Sequence, residues 1–488
     1  MKTMTKEEKR KIKFLAKIEL CRNNFWYFCQ CLYPEVYKDE YKYLKEWCMA
    51  LQAFFLNGEV QDVLILNAPP RHCKSFTLQL FVAWIIGINY LKGRLGIRIV
   101  AACYNQDLSI KFSTNVKNFI KARQSPTQSF ISFADVFPGC TIMKGKDTKE
   151  EWSIVGAPES TFLSTSPNGS STGFGCDVLI IDDMYKSIYD LYSKSYQDSL
   201  YTFVFNTLKT RFENEKKTIV GMTRWGKEDI CGKIIEKTKP EKLYMYKYKA
   251  LQDDGTMLNP SILDLEEYHN IAETMTPDAF LANYQQEFVS REGALYKNLK
   301  TYAKKELPEK DEDGKIYQHP IYCVADLADK GTDFLCAIFY TVFRDYIYIL
   351  DVYYTNKQMA ETEEEFARKL LENKCIYLLA ESNNGGETYI RNVAKIYSQL
   401  GGKQCQFNTY FQKLNKESRI QSQVSWVEKN VFLPEMWAVL FPKFYVDLSD
   451  FQTEFKKNKH DDCADAITIL GDCYNKSNIR RPAYISSY

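Results

Sequence analysis

Histidine is scarce in this 488-residue chain: there are 4, with no HxxxH pair, so the spacing offers no zinc site. Net charge is nearly absent at +2, so no global field demands a polyanionic partner, and nucleic-acid contacts must come from local patches. The 15 cysteines form no CxxC pair. Scattered mostly as singletons in apolar surroundings, they read as reduced, buried thiols of a cytoplasmic protein. No run of about 18 apolar residues occurs, so a membrane span is not expected. The basic start MKTMTKEEKRKIKFLAK is followed by no long apolar stretch, so it does not read as a secretory signal. What is present is ordinary for a soluble globular protein, 45% hydrophobic and 26% charged, with 34 Tyr and 30 Phe. The length suffices for two to four domains with real cores.

Glycine is also missing from two places where one chemistry usually wants it. Val63 to Ser75 reads VLILNAPPRHCKS, an apolar run, a Pro-containing loop and a Lys-Ser pair, and helix-compatible residues 76–90 follow. Strand, loop, Lys-[Ser/Thr] and helix is the order a phosphate-binding loop requires. Pro70, Arg71, His72, Cys73, Lys74 and Ser75 would surround the phosphates, Lys74 neutralising them and the Ser75 hydroxyl ligating Mg²⁺. Ala68 and Cys73 occupy the first and sixth positions, where Gly lets backbone approach phosphate closely. A buried strand followed by a turn with an incidental Lys-Ser is the competing reading.

The second diagnostic stretch is DVLIIDD, residues 177–183, four aliphatics ending in two carboxylates. It is expected beside the loop strand, with Asp182 on the metal side and Asp183 activating the attacking water. Upstream, SPNGSSTGFG reads as a flexible loop, and downstream IVGMTRW is a strand ending in Thr223 and Arg224. Arg224 is either a sensor that stabilises transition-state charge or half of a structural salt bridge. A strand at 97–103 and a helix at 105–122 continue a βαβ pattern around a parallel sheet. Helices at 5–22 and 39–56 and the aromatic cluster at 25–33 form a prelude, either a lid over a nucleotide base or a cap on the sheet domain.

The second half restarts differently. Strands at 321–326, 334–341 and 346–354 form a meander, followed by helix 360–373, strand 376–381, helix 388–400, a strand near 406–411 and helices after Asn415. That order describes an RNase H-like arrangement. Its chemistry needs carboxylates from separate elements converging on metal ions about 3.5–4 Å apart. Asp326 ends the first strand and Glu381 the fourth. Asp461, Asp462 and Asp465 open the last helix, at spacings that allow a shared face. Each also has a plain role as a turn or cap residue. Asp333 lies one loop from Asp326, and His460 stands beside the acidic pair.

These blocks together resemble the large terminase subunit of tailed bacteriophages through most of the chain. PPRHCKS resembles that family's Arg-containing phosphate loop, STGFGCDVLIIDDMYK its Gly-rich lead into the acidic strand, and GMTRW its coupling motif. AFLANYQQEFVSREG resembles its inter-domain segment. VADLADKGTD, LLAESNNGG, NKESRI and KHDDCADAI resemble its nuclease blocks. The resemblance implies an α/β chain in which a P-loop ATPase is followed by an RNase H-like nuclease. Residues 1–60 would be a helical, adenine-side segment, 61–255 the motor, 256–315 a linker and 316–488 the nuclease. It implies Arg71, Lys74, Ser75, Asp182 and Asp183 as ATPase residues and Thr223 as the coupling residue. Asp326, Glu381 and one of Asp461 or Asp462 would be nuclease ligands, Asp462 being the catalytic choice, with Asp465 ranked behind that pair. Residues 33–43 occupy, loosely, the place of the adenine-binding motif. It also implies ATP and Mg²⁺, with Mn²⁺ possible at the nuclease site. The implied partners are double-stranded DNA, a portal protein and a small terminase subunit, with a homo-oligomeric ring on the procapsid. The implied location is the host cytoplasm, outside the mature virion. Departures from the pattern are Cys73 for Gly, Asp183 where Glu is frequent, and Phe174 where many relatives carry an arginine finger. Arg71, Arg211 or Arg224 are the substitutes on offer. The rivals are a helicase or remodelling ATPase with a non-catalytic second half, and a DNA-binding scaffold with a dead nucleotide site.

Overall fold

A computed structural model describes residues 5–56, 62–122, 131–169, 173–289, 293–303, 306–307, 319–327, 334–381, 386–411 and 415–476, except the side chains of 359–360 and 472–476. Asp333, the KDEDGK turn and part of the Ser/Gly-rich loop lie outside the described residues. The chain divides into two units, Met1–Glu287 and Phe288–Tyr488.

The first unit begins with three helices. A Thr5–Glu8 capping box starts α1 (Lys6–Asn23), and α2 (Phe25–Leu32) and α3 (Lys42–Leu56) follow. Buried Cys21, Phe25, Phe28, Trp47 and Leu51 share one core with Phe81 and Trp84. These helices therefore pack into the sheet domain. The sheet starts with β1 (Val63–Asn67), followed by α4 (Lys74–Leu91), β2 (Ile99–Ala102), α5 (Gln106–Lys121) and α6 (Phe133–Val136). Next come β3 (Ile142–Asp147), β4 (Glu151–Ile154), β5 (Phe162–Thr165) and β6 (Cys176–Asp182). The unit ends with α7 (Ile188–Tyr192), α8 (Lys194–Tyr201), β7 (Phe212–Met222), α9 (Ile230–Lys237), β8 (Leu243–Lys247), α10 (Leu265–Thr274) and α11 (Pro277–Phe280). Residues 265–280, inside the stretch read from the sequence as linker, thus belong to this unit.

The strand order is β3-β4-β5-β2-β6-β7-β1-β8. The central strands are parallel and their side chains alternate strictly. Leu64, Leu66, Val178, Ile180 and Ile219 face the core shared with α1–α5. Val63, Ile65, Leu179, Ile181, Val220 and Met222 face a second core with Leu200 and Ile234. Layers on both faces explain why these strands read as unbroken aliphatic runs. One expectation is corrected: β6 does not lie beside β1. β7 pairs in parallel with both and stands between them, with Gly221 level with both Leu66 and Asp182. Gly221 lets α4 approach closely, because a Cβ there would stand 2.4 Å from Leu78 Cδ1 and push that side chain aside.

The second unit carries a seven-stranded sheet, ordered β14-β13-β10-β11-β12-β15-β9. Its strands are β9 (Lys300–Tyr302), β10 (Tyr322–Asp326), β11 (Leu335–Phe343), β12 (Tyr346–Thr355), β13 (Tyr377–Glu381), β14 (Gln406–Tyr410) and β15 (Val431–Pro434). β10, β11 and β12 form the antiparallel meander, and β13 then β14 add in parallel beside β10. This is the RNase H-like order, extended at the β12 edge by β15 and β9. α12 (Met359–Glu372) and α13 (Gly386–Gln399) supply Phe366, Leu370, Ile390 and Val393 to a core with Cys323, Ala337 and Leu378. α14 (Lys416–Asn430), α15 (Trp437–Leu440), α16 (Pro442–Ser449) and α17 (Asp462–Lys476) complete the unit, with α17 packed on β10, β11 and α14.

Candidate functional site

In the first unit the parallel strands end together at Asn67, Asp182 and Met222, and the loops leaving them meet. Lys74, first residue of α4 and 5% exposed, donates to Ala68 O at 2.8 Å, Pro69 O at 2.9 Å and Thr223 Oγ1 at 3.0 Å. Ser75 Oγ donates to Asp182 Oδ1 at 2.8 Å. Thr223 N–H donates to Asp183 Oδ1 at 3.2 Å. The strand inserted between β1 and β6 thus brings Thr223 into contact with both phosphate-loop lysine and acidic strand. Arg71 and Cys73 take left-handed backbone, at φ 65° and 63°. The loop thereby makes its turn without the usual glycines, at a cost of roughly 1 kcal/mol each.

Burial, reinforced by Asp183, raises the Asp182 pKa well above the carboxylate range, while Ser75 and Lys74 pull it down. Burial lowers the Lys74 pKa, and Asp183 and Asp182 oppose that. His72, 1% exposed, donates from Nδ1 to Pro70 O at 2.8 Å, and its pKa falls to about 4, chiefly through burial. Its ring lies 6.1 Å from Tyr43, which also packs on Trp47 and Tyr248, so an aromatic group stands behind the loop.

The arginines sort differently. Arg71 is exposed at the loop. Arg224 is committed elsewhere: Nε lies 3.0 and 2.9 Å from the two oxygens of Asp229, and Nη2 donates to Gly226 O at 3.0 Å. Asp229 also caps α9 through Gly232 N–H at 2.8 Å, so of the two sequence readings the structural salt bridge describes Arg224. Arg211 precedes β7, eleven residues long, and lies at the opposite end of the sheet from Thr223. Phe174 precedes β6 at that same far end, under the Arg98 guanidinium at 4.5 Å.

In the second unit, β10 and β13 are adjacent and parallel with Ala325 opposite Ala380, so Asp326 and Glu381 emerge side by side. The first turn of α17 brings Asp465 over them. Among the described residues, Asp326, Glu381 and Asp465 are the one group of three able to share a cation, with ligand atoms within 4.8 Å of one another. The carboxylate that joins Asp326 and Glu381 in this cluster is Asp465, and Asp462 lies outside it. Asp462 Oδ2 accepts the Phe334 N–H at 3.2 Å, and Asp461 Oδ1 is bound to Lys416 Nζ at 2.8 Å. His460 packs edge-on against Phe334 at 4.7 Å.

Burial, then Asp465, raises the pKa of Asp326 and of Glu381. Burial likewise raises Asp465 against Lys416 and Arg419, and brings Asp462 to about 6. Crowded buried carboxylates of this kind stay ionised at neutral pH only with cations nearby. Two are supplied by α14, and the sequence reading assigned neither a role. Lys416 Nζ is also 3.3 Å from Asp465 Oδ2 and 3.8 Å from Asp326 Oδ2. Arg419 Nη2 donates to Asp465 Oδ1, and its Nη1 is 3.6 Å from Glu381 Oε2. Their signal was the i, i+3 basic pair in NKESRI. Among the described residues no hydrogen-bond donor reaches the buried Asp326 Oδ2, which an all-oxygen divalent-cation site would satisfy.

The model of the Terminase Bacteriophage T7, Ribonuclease H-like domain family matches residues 325–430, a span that holds Asp326, Glu381, Lys416 and Arg419. No curated protein matches the chain. Among solved structures, the large terminase of a thermophilic bacteriophage is similar at 11% identity and TM-score 0.33, covering 87% of this chain and 97% of that one. The HK97 bacteriophage large terminase is similar at 10% identity and TM-score 0.33, over 88% of this chain and 94% of that one. The human cytomegalovirus terminase nuclease domain is similar at 10% identity and TM-score 0.29, over 39% of this chain and 96% of that one.

Proposed function

We propose that this chain is a large terminase subunit, a motor that hydrolyses ATP to drive double-stranded DNA into a viral procapsid and a nuclease that cuts concatemeric DNA. The observation that carries the reading is the carboxylate cluster Asp326–Glu381–Asp465 on an RNase H-like sheet, within a unit whose residues 325–430 match a terminase nuclease family. It stands on the same polypeptide as a Lys-Ser loop facing an Asp-Asp strand.

In the first unit, backbone N–H groups from Arg71 to Ser75 and the Lys74 ammonium bind the ATP phosphates, and Pro70 stiffens the loop entry. Asp183, held by the Thr223 N–H, orients the attacking water. Arg71, exposed at the loop, meets the charge that develops on the transferred phosphoryl. Thr223, bonded to Lys74 and adjacent in chain to β7, carries the nucleotide state into the sheet. Ser75 and Asp182 suit Mg²⁺, and Asp326, Glu381 and Asp465 suit Mg²⁺ or Mn²⁺. Bound cations there supply phosphate neutralisation in one site, and water activation and leaving-group stabilisation in the other. The reading includes a portal protein and a small terminase subunit as partners, a ring of copies on the procapsid, and the host cytoplasm as the place of action. No helix among the described residues is long and apolar enough to cross a membrane.

A remodelling ATPase with an inert second unit is not favoured, because a purely structural domain has no use for three largely buried acids within 4.8 Å. The test is one preparation assayed for ATP turnover and plasmid cleavage, with and without EDTA. Lys74→Ala is expected to abolish ATPase and spare cutting; Asp326→Ala is expected to do the reverse. Normal hydrolysis by the first variant, or nicking by the second, sinks the corresponding assignment.

A further inference from the structure

We propose that Lys416 and Arg419 are built-in counter-cations of the carboxylate cluster with different fates. Lys416 competes with a divalent cation and withdraws when one binds. Arg419 stays and fixes the spacing of Glu381 and Asp465. The proposal rests on the metal-site reading above and concerns how that site is filled.

The two side chains leave α14 one turn apart on the same face. Their surroundings differ. The Arg419 side chain is 3% exposed, and its fork joins Glu381 on one side to Asp465 on the other. A planar guanidinium pinned between two acids from different elements is a spacer as much as a charge. The Lys416 side chain is 37% exposed and its ammonium lies within 4 Å of Asp326, Asp461 and Asp465. Its contact with Asp326 is the longest of the three, at 3.8 Å, and among the described residues Asp326 Oδ2 has no hydrogen-bond donor. The pair is therefore a loose substitute for a cation at Asp326. Two like charges a few ångströms apart repel strongly even at an effective dielectric of 20. Only Lys416 has a route to water, on a flexible stem whose Asp461 contact lies at the rim.

The test is calorimetric titration of Mn²⁺ into the full chain after EDTA treatment, with thermal melts of the same samples. Lys416→Met, which removes the competitor, is expected to bind Mn²⁺ roughly tenfold more tightly and to melt lower than wild type when metal-free. Lys416→Arg keeps the charge and should stay near wild-type affinity. Arg419→Lys keeps charge but loses the fork, and should bind roughly tenfold more weakly. Unchanged or weaker binding by Lys416→Met, tightening by Lys416→Arg, or wild-type affinity in Arg419→Lys overturns the proposal. Asp326→Asn separates the two levels of inference. If it leaves wild-type Mn²⁺ binding intact, the metal-site reading itself fails. If it abolishes binding while Lys416→Met changes nothing, that reading stands and the competitor role falls.

Discussion

Replacing Asp229 by Asn asks what Arg224 is for. Asn is close in size to Asp, so packing is kept while the charge and one acceptor oxygen are lost. The Arg224 and Asp229 side chains are 7% and 0% exposed, and Nε lies 3.0 and 2.9 Å from the two carboxylate oxygens. The same carboxylate accepts N–H groups of Trp225, Gly226 and Gly232 at 2.9, 3.3 and 2.8 Å. At about 3 Å and an effective dielectric of 20 the attraction is roughly 5 kcal/mol. Removing one partner of such buried pairs costs about 3–5 kcal/mol. An Asn oxygen turned to the Gly232 N–H still caps α9, but its amide NH2 then faces the Trp225 and Gly226 N–H groups, so lost acceptors add to the lost charge. We expect about 3–4 kcal/mol, which lowers the first unit's melting temperature by about 10 °C. The assay is a thermal melt paired with ATP turnover well below the transition. Arg224→Ala should destabilise comparably, with turnover per folded molecule changed less than about tenfold. An unchanged melting point for Asp229→Asn, or an Arg224→Ala chain that melts normally but hydrolyses about a hundredfold slower, would refute a structural role and return Arg224 to the phosphates.

Three further outcomes are expected. Asp465→Asn should reduce Mn²⁺-dependent plasmid nicking to background, whereas Asp462→Asn, which still accepts the Phe334 N–H, should cost about tenfold or less; the reverse ranking would reinstate Asp462 as the third ligand. The His72 pKa of about 4 lies below its unfolded value of about 6.5, so the unfolded chain binds the proton first. Stability present above pH 6.5 should then fall by up to ~3 kcal/mol as pH drops towards 4, and denaturant titrations should show a flatter profile for His72→Phe. Cys73 has φ 63°, so melting temperatures should rank Gly at least equal to Cys and both above the β-branched Val at this position; a Val variant as stable as wild type would contradict the left-handed loop.

The parts of the fold that could be read in advance are those whose periodicity is enforced by burial on both faces. VLILN and DVLIID declare themselves because both sides of the strand are covered. β3 is mostly exposed, and its sequence IMKGKD has no apolar rhythm, so the edge of the sheet went unread. IVGMTRW was recognised as a strand, but its insertion between β1 and β6 is a matter of pairing, which residue pattern does not encode. The same limit applied to the acids. Spacing put Asp461, Asp462 and Asp465 near one another on a helix. Which of them joins Asp326 and Glu381 depends on how α17 is rotated against β10. Lys416 and Arg419 were invisible as site residues, because a basic pair on a helix usually faces water.

Gly221 and Thr223 sit two residues apart on β7 and its continuation. One accepts the flank of Leu78 against its bare Cα, and the other accepts the Lys74 ammonium. Leu78 and Lys74 are one helical turn apart on α4, so helix and strand mesh at two successive teeth. β7 is itself hydrogen-bonded to the strands on both sides, so these two contacts join the phosphate end of α4 to the centre of the sheet.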